Sequence, residues 1–145
     1  MADGNLPGRV VEDMVQQDSS PNAEQATLYQ RVGGLPFFVD LTERFYKLVE
    51  MDAALRPLYP EDLEPGKGHL AGFLAQYWGG PPQYSLERGH PRLRRRHLPF
   101  PIGQEERDAW VTHMTSAVRS MDISLDDAAL MTEYFEGTAT MMMNR

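Results

Sequence analysis

Between Lys67 and Trp78 the residues Leu70, Phe73, Leu74, Tyr77 and Trp78 recur at i, i+3, i+4, i+7 and i+8, and Gly79-Gly80-Pro81-Pro82 then stops the pattern. That spacing sets all five on one side of an α-helix and scatters them over both faces of a strand. The same arrangement returns elsewhere. Pro36 opens a helix at a position where its missing N–H costs nothing, and Phe38, Leu41, Phe45 and Leu48 follow as its inner face with Tyr46 on the flank. From Gln104 to Met121, the set Trp110, Met114, Ala117, Val118 and Met121 again shares a face. Ser124 followed by Asp127 makes a capping-box-like start for a last helix, with Leu130, Tyr134, Thr138, Ala139 and Met142 facing inward. AEQATLYQRV, from Ala23, predicts a short helix stopped by Gly33-Gly34. In MDAALRPLYPEDLEPGKG the residues Pro57, Pro60 and Pro65 forbid a long helix and leave a single turn around Asp52 to Leu55, then loop.

Nothing reads as a strand and no internal repeat is visible. The expectation is therefore an all-α domain over residues 23–145. Before it, residues 1–22 mix Gly, Pro, Asp, Gln, Ser and Asn without periodicity, as a mobile N-terminal extension does. With no cysteine, disulfides, thiolate metal sites and cysteine nucleophiles are excluded. No apolar run approaches the length of a membrane span. MADGNLPGRVVEDM has neither the basic nor the apolar region of a signal peptide, so a cytoplasmic location is the default expectation.

The chain is acidic, with a net charge of −7, which argues against nucleic acid as a partner. Yet residues 88–100, RGHPRLRRRHLPF, hold five of its twelve arginines and no acidic residue. Of the four histidines, His69, His90, His97 and His113, none belongs to an HExxH pattern, so a zinc hydrolase is poorly supported. His97 has the most informative surroundings. If Pro91 starts a short helix that Pro99 limits, Leu93 and His97 are i and i+4 on one face, with Arg92, Arg95 and Arg96 directed elsewhere. Nδ1–H of such a histidine can bond the carbonyl near Leu93, fixing the tautomer and offering Nε2 to a metal. A planar cofactor with anionic groups, held by one imidazole, accounts for both the histidine and the arginines, and haem is such a cofactor. A solvated basic helix end, favoured by the helix dipole, accounts for this segment equally well.

RGHPRLRRRHLPF followed by PIGQEERDAW resembles the proximal half of a group II (O type) truncated haemoglobin of the actinobacterial kind. VGG at 32–34, RFY at 44–46, LRPLYPEDL at 55–63 and FLAQYWGGPPQYS at 73–85 continue the resemblance, in order and at matching spacing, from Leu28 to the C-terminus. The resemblance implies a truncated globin fold, a two-over-two helical sandwich enclosing haem b, with His97 as the proximal iron ligand. Tyr46 in RFY matches the family's distal tyrosine, Tyr59 in LYPED the second distal tyrosine, and Trp110 in ERDAW the distal tryptophan. The usual distal histidine position falls at or near Gly66, and Leu70, one turn on, is expected to face the ligand. Leu93 and Phe73 are expected against the cofactor. His69 stands where the family often has an arginine on a propionate, and Tyr84, His90, Arg94 and Arg96 are further rim candidates. Pairing EDLEPGKG with the family's pattern leaves this chain one residue short in that loop.

Phenolic O–H and indole N–H donors stabilise the partial negative charge that O2 acquires from a ferrous iron. The plain alternative for each aromatic is core packing with some local partner. Tyr77 and Trp78 are read as core or cofactor-edge packing, Met141 to Met143 as an adaptable helix end, and His113 as structural or solvent-linked. Functionally, the leading expectation is tight binding of O2, with nitric oxide, carbon monoxide or peroxide as further small ligands. That binding would serve nitric oxide dioxygenation or peroxidase-like chemistry, supplied with electrons by a reductase. A non-catalytic oxygen carrier or sensor, and a haem-free helical interaction domain, are the other classes. A homodimer stays open as an assembly.

Overall fold

The computed structural model describes residues 26–145, so the expectations for residues 1–22 and for a helix start at Ala23 lie outside the described residues. Seven α-helices follow in order: α1 Leu28–Arg31, α2 Leu35–Glu50, α3 Glu64–Tyr77, α4 Gln83–Arg88, α5 Leu93–His97, α6 Gln104–Arg119 and α7 Leu125–Met142, with a 3-10 turn at Arg56–Leu58. No strand occurs among the described residues, in line with the all-α expectation. The helix α2 packs on α3 and α6 on α7, and α2 against α6 joins the two pairs into a two-over-two sandwich. The short α4 lies on α3 and α5 on α7.

Local chemistry sets most boundaries. Thr27 Oγ1 accepts from Gln30 N at 3.1 Å while Gln30 Oε1 accepts from Thr27 N at 2.9 Å, a reciprocal cap that starts α1. Gly33 and Gly34 then turn the chain at φ 96° and 85°, in the left-handed region that suits glycine. Pro36 stands in the first turn of α2 as expected. Pro65 does the same for α3, so it opens that helix at Glu64 instead of delaying it to Lys67. The chain from Pro60 is therefore loop only as far as Leu63. Pro91, in contrast, stays outside α5: Arg92, at φ 47°, precedes the helix in a left-handed conformation, and α5 starts only at Leu93. The segment QYSLER forms α4 because Gln76 of α3 grips Ser85, its amide donating to Ser85 Oγ at 2.7 Å and its carbonyl accepting from Ser85 N at 2.9 Å.

Two expected faces hold except at one position each, where the buried residue is the next one along, about 100° around the helix. In α2, Val49 is fully buried and Leu48 only partly. In α7, Met131 and Phe135 fill the core, whereas Leu130 is 50% exposed. Tyr77 of α3 is exposed at its end of the stripe, stacked on Tyr134 at 4.2 Å. Phe38, Trp78 and Phe135 run through the core as neighbours, at centroid separations of 6.1 Å and 5.6 Å. Ser124 caps α7 by accepting from Asp127 N at 3.1 Å. Asp127 does not complete a capping box; its carboxylate takes both Nε and Nη2 of Arg31, at 3.1 and 2.8 Å, and ties α1 to the start of α7.

Candidate functional site

The two helical layers enclose a cavity of about 310 Å³ with mainly apolar walls. Leu70, Phe73 and Leu74 come from α3, Leu93 and His97 from α5, and Tyr134, Phe135, Thr138, Ala139 and Met142 from α7. The proline-rich turn adds Leu55, Leu58, Tyr59 and Pro60.

His97 ends α5, and its Nδ1 lies 2.6 Å from the Leu93 carbonyl one turn earlier. A carbonyl only accepts, so Nδ1 carries a proton, and in the neutral ring the lone pair is then on Nε2. No other hydrogen-bond partner of this ring occurs among the described residues. The geometry is the one that the i, i+4 spacing leads to, although the helix begins two residues later than Pro91.

Tyr46, Tyr59 and Trp110 line the same cavity. Tyr46 and Tyr59 meet edge to face at 5.7 Å, and Phe45 separates Tyr46 from Trp110, at 5.6 and 5.2 Å respectively. Burial pushes the Tyr46 phenol up to about 12, with Lys67 pulling weakly the other way. The Tyr59 phenol is also raised, first by burial and then by Tyr46, against a lowering hydrogen bond from Trp110. Both rings therefore keep their protons at neutral pH and have an O–H available to donate. Lys67 is held between Glu43 and Glu64, at 2.8 and 2.9 Å.

The turn that delivers Tyr59 is itself anchored. Asp52 Oδ1 accepts from the backbone N–H groups of Ala54 and Leu55 at 2.7 and 3.2 Å. Its Oδ2 lies 2.6 Å from His113 Nε2 on α6. That hydrogen bond is the main reason the Asp52 carboxyl sits below its ordinary range. His113 thus has the structural part expected of it.

The remaining sequence candidates stand outside the cavity lining. Gly66 lies behind Tyr46: a Cβ there would come within 2.8 Å of the tyrosine hydroxyl. His69 Nε2 is 3.1 Å from Arg88 Nη1, and Arg88 also lies over the Tyr84 ring at 5.9 Å. Tyr84 is buried against Phe73 at 5.5 Å. His90 Nδ1 accepts from Arg92 N at 3.0 Å, and Arg96 Nε donates to the Pro91 carbonyl at 2.7 Å. Arg94 is exposed, as are Arg92 and Arg95. No ion pair among the described residues uses any arginine between 88 and 96.

Sequence reasoning missed Leu55, Leu58, Pro60, Phe100, Ile102, Glu106, Arg107 and Phe135 as lining residues. The first five belong to loops without periodicity, where no pattern marks an inward side. Glu106 is drawn in as it accepts from Gly103 N at 2.8 Å, and Arg107 as its Nε donates to Thr140 Oγ1 at 3.1 Å.

Residues 27–144 match the family described as bacterial-like globin. A group 2 truncated hemoglobin of Bacillus subtilis is 40% identical over 105 residues, which cover 72% of this chain and 80% of that protein. The crystal structure of a hemoglobin from the thermophilic phototroph Chloroflexus aurantiacus superposes with a TM-score of 0.81 at 50% identity, covering 83% of this chain and 99% of that one. A thermostable hemoglobin from the actinobacterium Thermobifida fusca gives a TM-score of 0.80 at 48% identity, covering 82% and 98%.

Proposed function

The chain belongs to the bacterial-like globin family, among the truncated haemoglobins of group II, and from that premise we propose that it binds O2 tightly through three distal donors and uses the bound gas in redox detoxification. The family's cofactor is haem b, and its small ligands are diatomic gases. The residues fit that group: an apolar cavity, one imidazole with Nδ1 already engaged, and donors of a different kind gathered elsewhere on the wall. When bound, haem supplies an iron that takes O2, nitric oxide or carbon monoxide.

The observation that carries this reading is the common cavity of His97, Tyr46, Tyr59 and Trp110. His97 would hold the iron through Nε2, and its bond to the Leu93 carbonyl keeps the ring oriented and more basic. Leu93, Leu70 and Phe73 would press on the macrocycle and exclude water. Tyr46, Tyr59 and Trp110 would donate to a polarised diatomic ligand, where low dielectric makes each bond count for more. Tyr84, His69, His90, Arg94 and Arg96 lie beyond the lining and remain the proposed cationic or hydrogen-bonding rim for the propionates. Gly66 leaves room behind Tyr46, so the tyrosine hydroxyl occupies the space a side chain at 66 would take.

Nitric oxide, O2 and one electron together make nitrate, and the electron would come from a reductase. The test is nitric oxide consumption under air by the purified protein, with and without a flavin reductase. The proposal expects sustained, reductase-dependent consumption with nitrate as product. A single turnover that no reductant extends would contradict the catalytic part and favour a carrier or sensor.

A further inference from the structure

We propose that Asn144 is a positioning residue for His97, acting on the backbone of the loop that follows α5. This rests on the reading of His97 as the iron ligand. Two residues past α5 the chain is Pro99-Phe100-Pro101, in which neither proline has an N–H to contribute. The loop therefore has carbonyls in excess of donors. Asn144, just beyond the end of α7, supplies what is missing. Its Nδ2 donates to the Phe100 carbonyl at 2.8 Å and reaches the His97 carbonyl at 3.4 Å. Its Oδ1 accepts from Ile102 N at 3.0 Å, and its own N–H donates to the Ile102 carbonyl at 2.9 Å. Side chain and backbone of one residue thus clasp the loop at three points.

Such a clasp matters because α5 is weak by itself. It has five residues, no side-chain cap, and a left-handed Arg92 at its start. A helix that short does not persist without outside support. At its N-terminal end the Arg96 Nε donates to the Pro91 carbonyl. At its C-terminal end the support comes from Asn144, 47 residues along the chain from His97. Only a carboxamide does this work: it offers two N–H donors and an acceptor on one short stem. Aspartate keeps the acceptor for Ile102 N but sets an oxygen against two carbonyls. Alanine keeps only the backbone bond.

The test uses the haem-loaded full chain and the variants Asn144→Ala, Asn144→Asp and Arg145→Ala, the last as a control from the same C-terminus. Haem transfer to excess haem-free myoglobin gives retention, resonance Raman of the ferrous protein gives the iron–histidine vibration, and thermal unfolding of the haem-free chain gives general stability. Loss of two or three hydrogen bonds should speed haem transfer roughly tenfold in Asn144→Ala and at least as much in Asn144→Asp. The iron–histidine band should shift or broaden in both, while Arg145→Ala matches the unaltered protein and haem-free unfolding falls only by what the lost hydrogen bonds contribute. Wild-type retention and an unshifted band in both Asn144 variants would overturn the proposal. Faster haem loss with an unshifted band would overturn it too, since Asn144 would then be a general tie and not a determinant of the His97 position. A His97→Gly protein, run alongside with added imidazole, tests the ligand assignment separately: an unchanged band there would sink that assignment whatever Asn144 does.

Discussion

At the scale of single residues, the proposed site depends on phenols that stay protonated. Burial raises the Tyr46 hydroxyl from 10.0 to about 12. Between those two values the folded chain holds a proton that the unfolded chain has released, so stability falls as pH rises through this window. Alkaline unfolding followed by circular dichroism should therefore steepen above pH 10, and Tyr46→Phe should remove part of that slope. An identical alkaline profile in the variant would show that Tyr46 is not held in a desolvated setting. Tyr46, Tyr59, Trp110 and His97 were legible as candidates because each stands in a short motif with a chemical reason for its residue type. Asn144 was not, because its partners lie 42 to 47 residues away in a loop without pattern. Asp52 was hidden for the same reason: its bond to His113 spans 61 residues.

At the scale of elements, one ion pair does more than its place on the surface suggests. Arg31 grips the nearly buried Asp127 in a two-pronged contact, joining the short α1 to the long α7. Arg31→Ala leaves that carboxylate short of donors and should cost about 1–2 kcal/mol in urea unfolding, between a charged hydrogen bond and a surface pair. A loss indistinguishable from zero would mean that solvent replaces the guanidinium. Long helices could be read from the sequence because a 3.6-residue period repeated over four turns leaves few alternatives. Their inner faces were less secure. Leu130 and Met131 are both apolar and only 100° apart, and packing against α6, not the pattern, decides that Met131 is the one buried. The shortest helices were the least legible. The form of α4 depends on Gln76 from another helix, and the start of α5 on a left-handed Arg92 that no propensity favours.

At the scale of the whole molecule, two helical pairs form the walls of one cavity, and the ends of the chain's loops close it. The α2–α3 pair brings Tyr46, Leu70 and Phe73, the α6–α7 pair brings Trp110, Tyr134 and Phe135, and α5 carries His97 in from the side. An acidic chain thereby keeps a cluster of arginines, none of them in an ion pair among the described residues, on and beside the helix of the proposed iron ligand, where the proposed propionate rim would lie. Among the described residues no helix is long and apolar enough to cross a membrane. One imidazole and three donors on a common cavity are the centre of the proposed site. Its most direct test is the rate of O2 release from the ferrous haem-loaded protein, by stopped flow, for the unaltered chain and for Tyr46→Phe combined with Trp110→Phe. Slow release, accelerated about 10- to 100-fold in the double variant, is the expected result for the loss of two hydrogen bonds. Fast release from the unaltered protein, unchanged by the two substitutions, would contradict it.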